Sequence, residues 1–193
     1  IDNLPGFEQR LRARFPAIGE LHPGGPSSPL TLAHILKKAA LAMQAQAGCP
    51  VTFSRLSATM DPGVYQVVVE YSEEEVGRQA FALAQSLVQA AQDDTAFDIT
   101  AAIDQLRDTD ESERLGPSTG AIVEAAAARN IPWRRLTQGS LVQFGWGSRQ
   151  RRIQAAEIDT TSAVSEQIAQ DKDLTKKLLH VAGVPVPIGQ PVD

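Results

Sequence analysis

Lys172 is the residue that we assign to phosphate chemistry, because of its type and its place at the start of a predicted helix. Free N–H groups and the positive end of the helix dipole favour an anion at such a place. The lysine ammonium adds a full positive charge to them. The pattern therefore predicts that Lys172 binds phosphate, and a surface lysine at a helix start is the alternative.

Thr161 and Ser162 precede this helix and offer two neighbouring hydroxyl groups. A hydroxyl in such a position can bind a substrate carboxylate, or it can bond to the backbone of its own turn. Both interpretations stay open for this pair.

Five arginines lie close to two tryptophans, Trp133 and Trp146, in the segment that precedes those hydroxyls: Arg134, Arg135, Arg149, Arg151 and Arg152. Basic residues with interleaved aromatics can bind nucleic acid. The net charge of −5 and the lack of a recognisable nucleic-acid motif argue against such a partner. A solvated basic face and a patch for an anionic substrate remain, and for the second we single out Arg149 and Arg151, since arginine can pair a carboxylate bidentately.

The composition is that of a soluble globular chain, with 193 residues, 42% hydrophobic and 21% charged. The single cysteine, Cys49, excludes an intramolecular disulfide and fits a reducing compartment. The chain has no signal-peptide pattern and no apolar run of the roughly 20 residues that a membrane span needs. We therefore expect a cytoplasmic location and no membrane partner. Because the chain starts at Ile1, we also expect it to be part of a longer protein.

The segment that carries the candidate residues is predicted to contain a β-hairpin and a helix. The hairpin strands are Leu141–Phe144 and 152–156, turned around Gly145-Trp146-Gly147. The helix runs from Asp171, which can cap it, to about Ala182, and it has one apolar stripe, made of Leu174, Leu178 and Val181. Gly183 and the prolines after it end the helix.

The earlier part of the chain is predicted to alternate helices and strands. A helix should begin at Ser28 and Pro29 and end near Ala47, with Ile35, Ala39 and Met43 among its apolar residues. Strands are predicted at 51–57 and 64–71. A second helix opens at the glutamates 73–75 and buries a stripe of Val76, Ala80, Leu83 and Leu87.

The middle of the chain is predicted to hold two further helices and a strand. The helices are 98–107 and 119–129, the second with Ser118 as its cap, and the strand is 131–136. The charged run 108–114, DTDESER, is interpreted as a solvated linker or helix end. Together these elements predict an α+β fold in which a mixed sheet packs with helices.

Several motifs occur in an order that resembles cyanophycin synthetases: LPGF at 4–7, GVYQVVVEYSEEEVG at 63–77, LGPSTGAIVEAAAARNIPWRRL at 115–136 and SLVQFGWGSRQRRIQAA at 140–156. TTS at 160–162 and DKDLTKKLLHVAGVPVPIG at 171–189 follow them. The resemblance covers nearly the whole chain. It implies an N-terminal domain over residues 1–160 and, over 161–193, the first helix and strand of an ATP-grasp domain.

The resemblance implies a parent enzyme that uses ATP and Mg to activate a carboxylate as an acyl phosphate, which an amine then attacks. Its substrates would be aspartate, arginine and an acidic peptide polymer, and we expect a homo-oligomer. Lys172 would contact ATP phosphate, and Thr161 and Ser162 match the TS of the family. No catalytic residue is assigned in this chain, since the remaining ATP-grasp and Mur-type residues lie outside it, and alone it should be inactive. The alternatives are a glutathione-synthetase-like ligase and a non-catalytic polymer-binding module.

His34 marks one departure from the family pattern. Many cyanophycin synthetases resemble H-x-x-E-H in this helix, a zinc-type pattern, whereas this chain reads His34-Ile35-Leu36-Lys37-Lys38. A lysine ammonium repels a metal ion. We therefore expect no metal site and no peptidase activity, with His34 as a partly buried histidine.

Overall fold

Seven α-helices and six β-strands form the described parts of the chain, which are residues 4–22, 30–155, 157–187 and 189 in the computed structural model. They belong to two compact units, Ile1–Arg114 and Leu115–Asp193. The combination of helices with strands confirms the predicted α+β class. None of the helices in the described residues is long and apolar enough to cross a membrane.

The first unit has four helices around one core: α1 Phe7–Arg14, α2 Leu32–Ala47, α3 Glu74–Asp93 and α4 Ile99–Glu113. The predicted apolar stripes face this core, because Ile35 and Met43 of α2 and Val76 and Leu87 of α3 are buried in it. In proteins, most of the stability of a helix comes from packing such an apolar stripe against the core. The sequence pattern therefore identified the buried faces correctly.

Two helix boundaries differ from the prediction. The cap of α2 is Thr31, whose hydroxyl accepts a hydrogen bond from the backbone N–H of His34 at 3.3 Å. The predicted start at Ser28 and Pro29 lies outside the described residues. The cap of the helix Pro117–Ala127, α5, is Gly116 rather than Ser118, because Pro117 occupies the first helical position, where its missing N–H costs no bond.

The charged run 108–114, which we interpreted as a solvated linker or a helix end, continues α4 through Glu113, so the helix end is confirmed and the linker is not. The reason lies in Asp110, which is mostly buried: its carboxylate accepts from the Ser72 hydroxyl at 3.2 Å and from the Cys49 thiol at 3.7 Å. Burial raises the pKa of that thiol, which stays a neutral donor. The bonds of Asp110 fix this part of α4 to the core, and the other charged residues of the run can face solvent.

A two-stranded antiparallel sheet completes the first unit, with β1 Ser54–Ala58 and β2 Tyr65–Val69. Both strands are shorter than predicted. Ahead of β1, the N–H groups of Thr52 and Phe53 donate to the carboxylate of Glu70, each at 2.7 Å, in place of backbone partners. These two bonds lower the pKa of Glu70.

The second unit contains α5 Pro117–Ala127 and a four-stranded sheet of β3 Trp133–Arg135, β4 Leu141–Phe144, β5 Arg151–Gln154 and β6 Glu157–Ile158. The strands lie in chain order and all pairs are antiparallel. The described strands therefore form two antiparallel sheets, and the prediction of a mixed sheet was wrong. Connections this short join antiparallel neighbours, whereas a parallel pair needs a crossover of a dozen or more residues.

The predicted hairpin is present, with its second strand at Arg151–Gln154 rather than 152–156; Ala156 lies outside the described residues. Gly145 and Gly147 have φ values of 68° and 59°, which glycine adopts without strain. Val142 and Ile153 pack with Val123 of α5 in a small core. The turn was predictable because its two glycines bracket a single residue.

Helices α6 Ala163–Gln170 and α7 Lys172–Val181 follow the sheet in the chain. Asp171 caps α7 as predicted, and the stripe of Leu174, Leu178 and Val181 is 39%, 47% and 86% exposed. We predicted a strand after this helix. Residues 184–187 form none, and 188 and 190–193 lie outside the described residues.

Candidate functional site

The register of β3, β4 and β5 sorts their arginines onto two faces of the sheet. Arg134 pairs with Gln143, which pairs with Arg152, so these three residues share one face. The neighbouring row contains Trp133, Phe144 and Arg151, and it lies on the face that carries Val142 and Ile153 against α5. We call Arg134, Gln143, Trp146 and Arg152 the arginine face.

Gln143 lies at the centre of the arginine face and is 2% exposed. Its side-chain oxygen accepts from Nη2 of Arg134 at 3.3 Å, and its side-chain nitrogen donates to the carbonyl of Gly145 at 3.2 Å. Both ends of the amide therefore have partners, which fixes its orientation. A buried amide with two bonds holds Arg134 on one side and the β4–β5 connection on the other.

Trp146 contributes the aromatic part of this face. The guanidinium carbon of Arg134 lies 5.5 Å from the centroid of the Trp146 ring, within the range of a cation–π interaction. The N–H of Gly145 donates to the carbonyl of Pro132 at 2.7 Å, which ties the turn to the start of β3. The turn formed by Gly145 and Gly147 thus positions the indole ring of Trp146 beside the guanidinium of Arg134.

The exposed arginines keep their charge available for a ligand. No ion pair among the described residues involves Arg134, Arg149, Arg151 or Arg152. Arg135 differs, since its guanidinium donates to the carbonyl of Gly139 at 2.8 Å and to that of Gln138. The basic cluster of the sequence therefore divides into four exposed cations and one arginine that fastens the β3–β4 turn.

Arg149 and Arg151, the predicted carboxylate binders, are both exposed. Arg149 ends a 3₁₀ turn, Gly147–Arg149, and Arg151 belongs to the row on the α5 side. The fold does not gather them with Arg134 and Arg152, and their role in substrate binding stays a prediction. Because side chains alternate between the two faces of a strand, the sequence could have placed Arg151 and Arg152 on opposite faces. Only the strand register shows that Arg134 lies on the same face as Arg152.

Thr161 and Ser162 use their hydroxyl oxygens locally. The Thr161 oxygen accepts from the N–H of Ile158 at 3.1 Å, and the Ser162 oxygen accepts from the N–H of Val164 at 3.2 Å, which caps α6. Each hydroxyl keeps its own proton as a donor. Carboxylate binding by this pair stays a prediction.

Lys172 is exposed at the first position of α7. One oxygen of Asp171 accepts from the N–H groups of Asp173 and Leu174, at 3.1 and 3.0 Å. We expected those groups to be free for phosphate, and they are occupied by a carboxylate. The ammonium of Lys172 would therefore have to supply the attraction itself, and its contact with ATP stays a prediction.

His34 lies in the first turn of α2, where its Nδ1 is 2.9 Å from the Thr31 hydroxyl. Burial, and then the nearby positive charge of Lys37, lower the pKa of His34. Both effects favour the neutral ring, whose Nδ1 can accept the Thr31 proton. Among the described residues no group of three or more His, Cys, Asp or Glu side chains could hold a metal ion.

Comparison with known proteins shows what the chain is similar to. The family model of the cyanophycin synthase-like N-terminal domain matches residues 1–93. The resemblance of the whole chain to cyanophycin synthetases is likewise confirmed by curated relatives of that name. Those of Trichormus variabilis and Nostoc sp. are each 37% identical over 97% of this chain and 22% of their own length. That of Geminocystis herdmanii is 37% identical over 96% of this chain and 23% of its own length.

Proposed function

We propose that this chain is part of an ATP-dependent amide ligase of the cyanophycin synthetase kind. The similarity along 97% of the chain supports this parent activity, and the chain spans 22% of the length of such relatives. The parent would use ATP and Mg to convert a carboxylate to an acyl phosphate, and an amine would attack it. Aspartate, arginine and an acidic peptide polymer are the proposed substrates, and the parent enzyme is proposed to be a cytoplasmic homo-oligomer.

We propose that the part played by these 193 residues is binding of the acidic polymer, without turnover of ATP. The observation that carries this role is the arginine face, on which Arg134 and Arg152 lie on either side of a buried Gln143. Neighbouring strands lie roughly 4.8 Å apart, so two cations separated by one strand are about 10 Å apart at the backbone. A chain with repeated carboxylates can engage both, whereas a single small acid engages one.

The ring of Trp146 supports the choice of a carboxylate as the ligand. The Trp146 ring lies beside the Arg134 guanidinium, and the N–H groups of that guanidinium that do not bond to Gln143 can donate to a carboxylate, the planar acceptor that arginine pairs with best. Lys172, Thr161 and Ser162 would serve the ATP-dependent step in the parent. The caps of the two helices come from the chain itself, Ser162 for α6 and Asp171 for α7.

Turnover and binding assays on the purified chain test this division of roles. With ATP, Mg, aspartate, arginine and primer polymer we expect no ADP release and no ligation, and we expect a poly-aspartate probe to bind at low salt. ATP turnover that survives repurification and disappears in Lys172→Ala would contradict the proposal. So would a failure of poly-aspartate to bind at low ionic strength, where exposed charges interact most strongly.

A further inference from the structure

The β2 strand is bonded to β1 along one edge only. The residue pairs at the two ends of the β1–β2 sheet show which pairs are hydrogen-bonded. The N–H of Glu70 donates to the carbonyl of Phe53 at 2.9 Å, and the N–H of Thr59 donates to the carbonyl of Val64 at 3.0 Å. Bonded and non-bonded pairs alternate in an antiparallel ladder. Gln66 and Val68, which lie two and four residues from Val64, therefore direct their N–H and C=O groups to β1.

Tyr65, Val67 and Val69 consequently direct their N–H and C=O groups away from β1. In the part of the chain that the structure describes, these backbone groups have no other hydrogen-bond partner. An unpaired edge of this kind is a template for another extended chain. The free edge of β2 offers three donors and three acceptors, spaced two residues apart.

A groove accompanies these residues of β2. One cavity of about 720 Å³ lies between Val64–Tyr65 and the start of α2, and a second of about 420 Å³ lies near Tyr71 and α3. Both are lined by Val67 and Phe81, so they form one groove along the strand. We call it the β2 groove.

The lining of the β2 groove is largely uncharged. Leu32 and Leu36 of α2, together with Phe81 of α3, face Val67 across it. Among the described residues that line it, the charged ones are Glu74 and Arg78, which form an ion pair of 2.5 Å. An occupant would therefore direct apolar side chains toward the helices, because an isolated charge would lose its hydration there.

Gln44 lies in the wall of the smaller cavity and has a side-chain atom without a hydrogen-bond partner among the described residues. Its side-chain nitrogen donates to the carbonyls of Ala40 and Glu70, at 3.2 and 3.1 Å, so the amide orientation is fixed by two acceptors. Gln44 is fully buried, and among the described residues its side-chain oxygen has no donor. A buried acceptor of this kind is costly to leave unbonded.

We propose that the β2 groove binds an extended peptide segment of about five residues, which adds to β2 as a third strand with uncharged apolar side chains toward α2 and α3. The regular spacing of backbone donors and acceptors matches another extended backbone, and the neutral lining selects the inward side chains. Outward side chains meet solvent and can be polar. This ligand differs from the carboxylate polymer of the arginine face, and neither proposal depends on the other.

A capped pentapeptide, acetyl-Val-Lys-Val-Lys-Val-amide, is the probe, because its valines can face the helices while its lysines keep it soluble. Binding to the full chain would be followed by amide hydrogen exchange resolved by NMR. At saturation we expect exchange of the Tyr65, Val67 and Val69 amides to slow at least tenfold. Gln66 and Val68, already bonded to β1, should change little.

N-methylated peptides give the matched control. A methyl on the nitrogen of the central valine removes a donor that faces β2 and should weaken binding at least tenfold, while a methyl on the first lysine nitrogen faces solvent and should change affinity less than about twofold. Equal affinity of the two methylated peptides would overturn strand pairing. Absence of binding by the parent peptide at millimolar concentration would overturn the groove itself.

Val67→Pro tests the same edge from the protein side. Proline removes an N–H that β1 does not use, and edge positions tolerate it, so the hairpin should persist while peptide binding is lost. Sedimentation of the chain without peptide tests whether a second copy of the chain occupies the edge instead. A dimer that Val67→Pro dissociates would assign the edge to a second copy of the chain and would overturn the peptide proposal.

Discussion

Gly77 shows that a single missing side chain can decide local packing. It lies in α3, and a Cβ built on it would be 2.7 Å from Cβ and 3.0 Å from Cγ of Tyr71. Those atoms sit close to the backbone of Tyr71 and cannot swing aside as a side-chain tip can. Glycine is therefore required where the segment after β2 crosses α3.

Gly77→Ala should lower the free energy of unfolding by about 1–3 kcal/mol, although alanine is the better helix former by about 1 kcal/mol. Ser86→Ala, at an exposed position of the same helix, is the control and should be neutral or slightly stabilising. Urea unfolding of both variants measures the difference. A Gly77→Ala protein as stable as the Ser86→Ala protein would contradict the close contact.

His34 should make the stability of the chain depend on pH. Because its pKa is lowered from about 6.5 in the folded chain, the unfolded chain takes up a proton first as the pH falls. The free energy of unfolding should therefore decrease as pH drops below about 6.5, and His34→Gln should make that decrease smaller. Urea unfolding at several pH values checks this, and an unchanged pH dependence in the variant would contradict it.

The candidate site shows what residue patterns can and cannot predict. The sequence identified the basic segment and its tryptophans, since charge and residue type are visible directly. It did not identify Gln143, because a polar residue in a short strand gives no sign that Arg134 will bond to it. We singled out Arg149 and Arg151 from their residue type, whereas strand pairing places Arg134 and Arg152 on one face of the sheet, on either side of Gln143.

At the scale of elements, Asp171 both ends α6 and begins α7, where we predicted one helix start. Asp171→Ala should remove the two bonds to the first turn of α7 and destabilise that helix by about 0.5–2 kcal/mol. Asp171→Ser is the matched control, because serine also caps well and lacks the charge. Faster amide exchange across α7 in the alanine variant, and not in the serine variant, is the expected result. Equal exchange in all three proteins would contradict the capping role.

Helix faces were the most predictable elements of the fold. Val76, Ala80 and Leu87 form a stripe that can only be buried along one side of a helix, and they are buried. Boundaries and sheet type were less predictable. The extension of α4 depends on Asp110, which accepts hydrogen bonds from Cys49 and Ser72, two residues distant in sequence. β1 is shortened by Glu70, which directly follows the opposite strand.

At the scale of the molecule, the chain consists of two units that divide between Arg114 and Leu115. The family match at residues 1–93 falls within the first unit. The domain boundary that we expected at 160/161 concerns the start of an ATP-grasp domain, and it stays a prediction. The two proposed binding surfaces follow the division, with the β2 groove in the first unit and the arginine face in the second.

Binding of fluorescent poly-aspartate to the whole chain, compared between two double variants, tests the central claim most directly. Arg134→Gln with Arg152→Gln should weaken binding about fivefold to thirtyfold at low salt, since each exposed contact contributes up to about 1 kcal/mol. The wild-type affinity should fall as salt is raised, because the Debye length shrinks to about 8 Å at physiological ionic strength. Arg149→Gln with Arg151→Gln removes the same charge elsewhere and should weaken binding less. Equal weakening by the two double variants would show that the affinity depends on net charge alone and would contradict a specific site on the arginine face. Unchanged binding in Arg134→Gln with Arg152→Gln would contradict any role of that face.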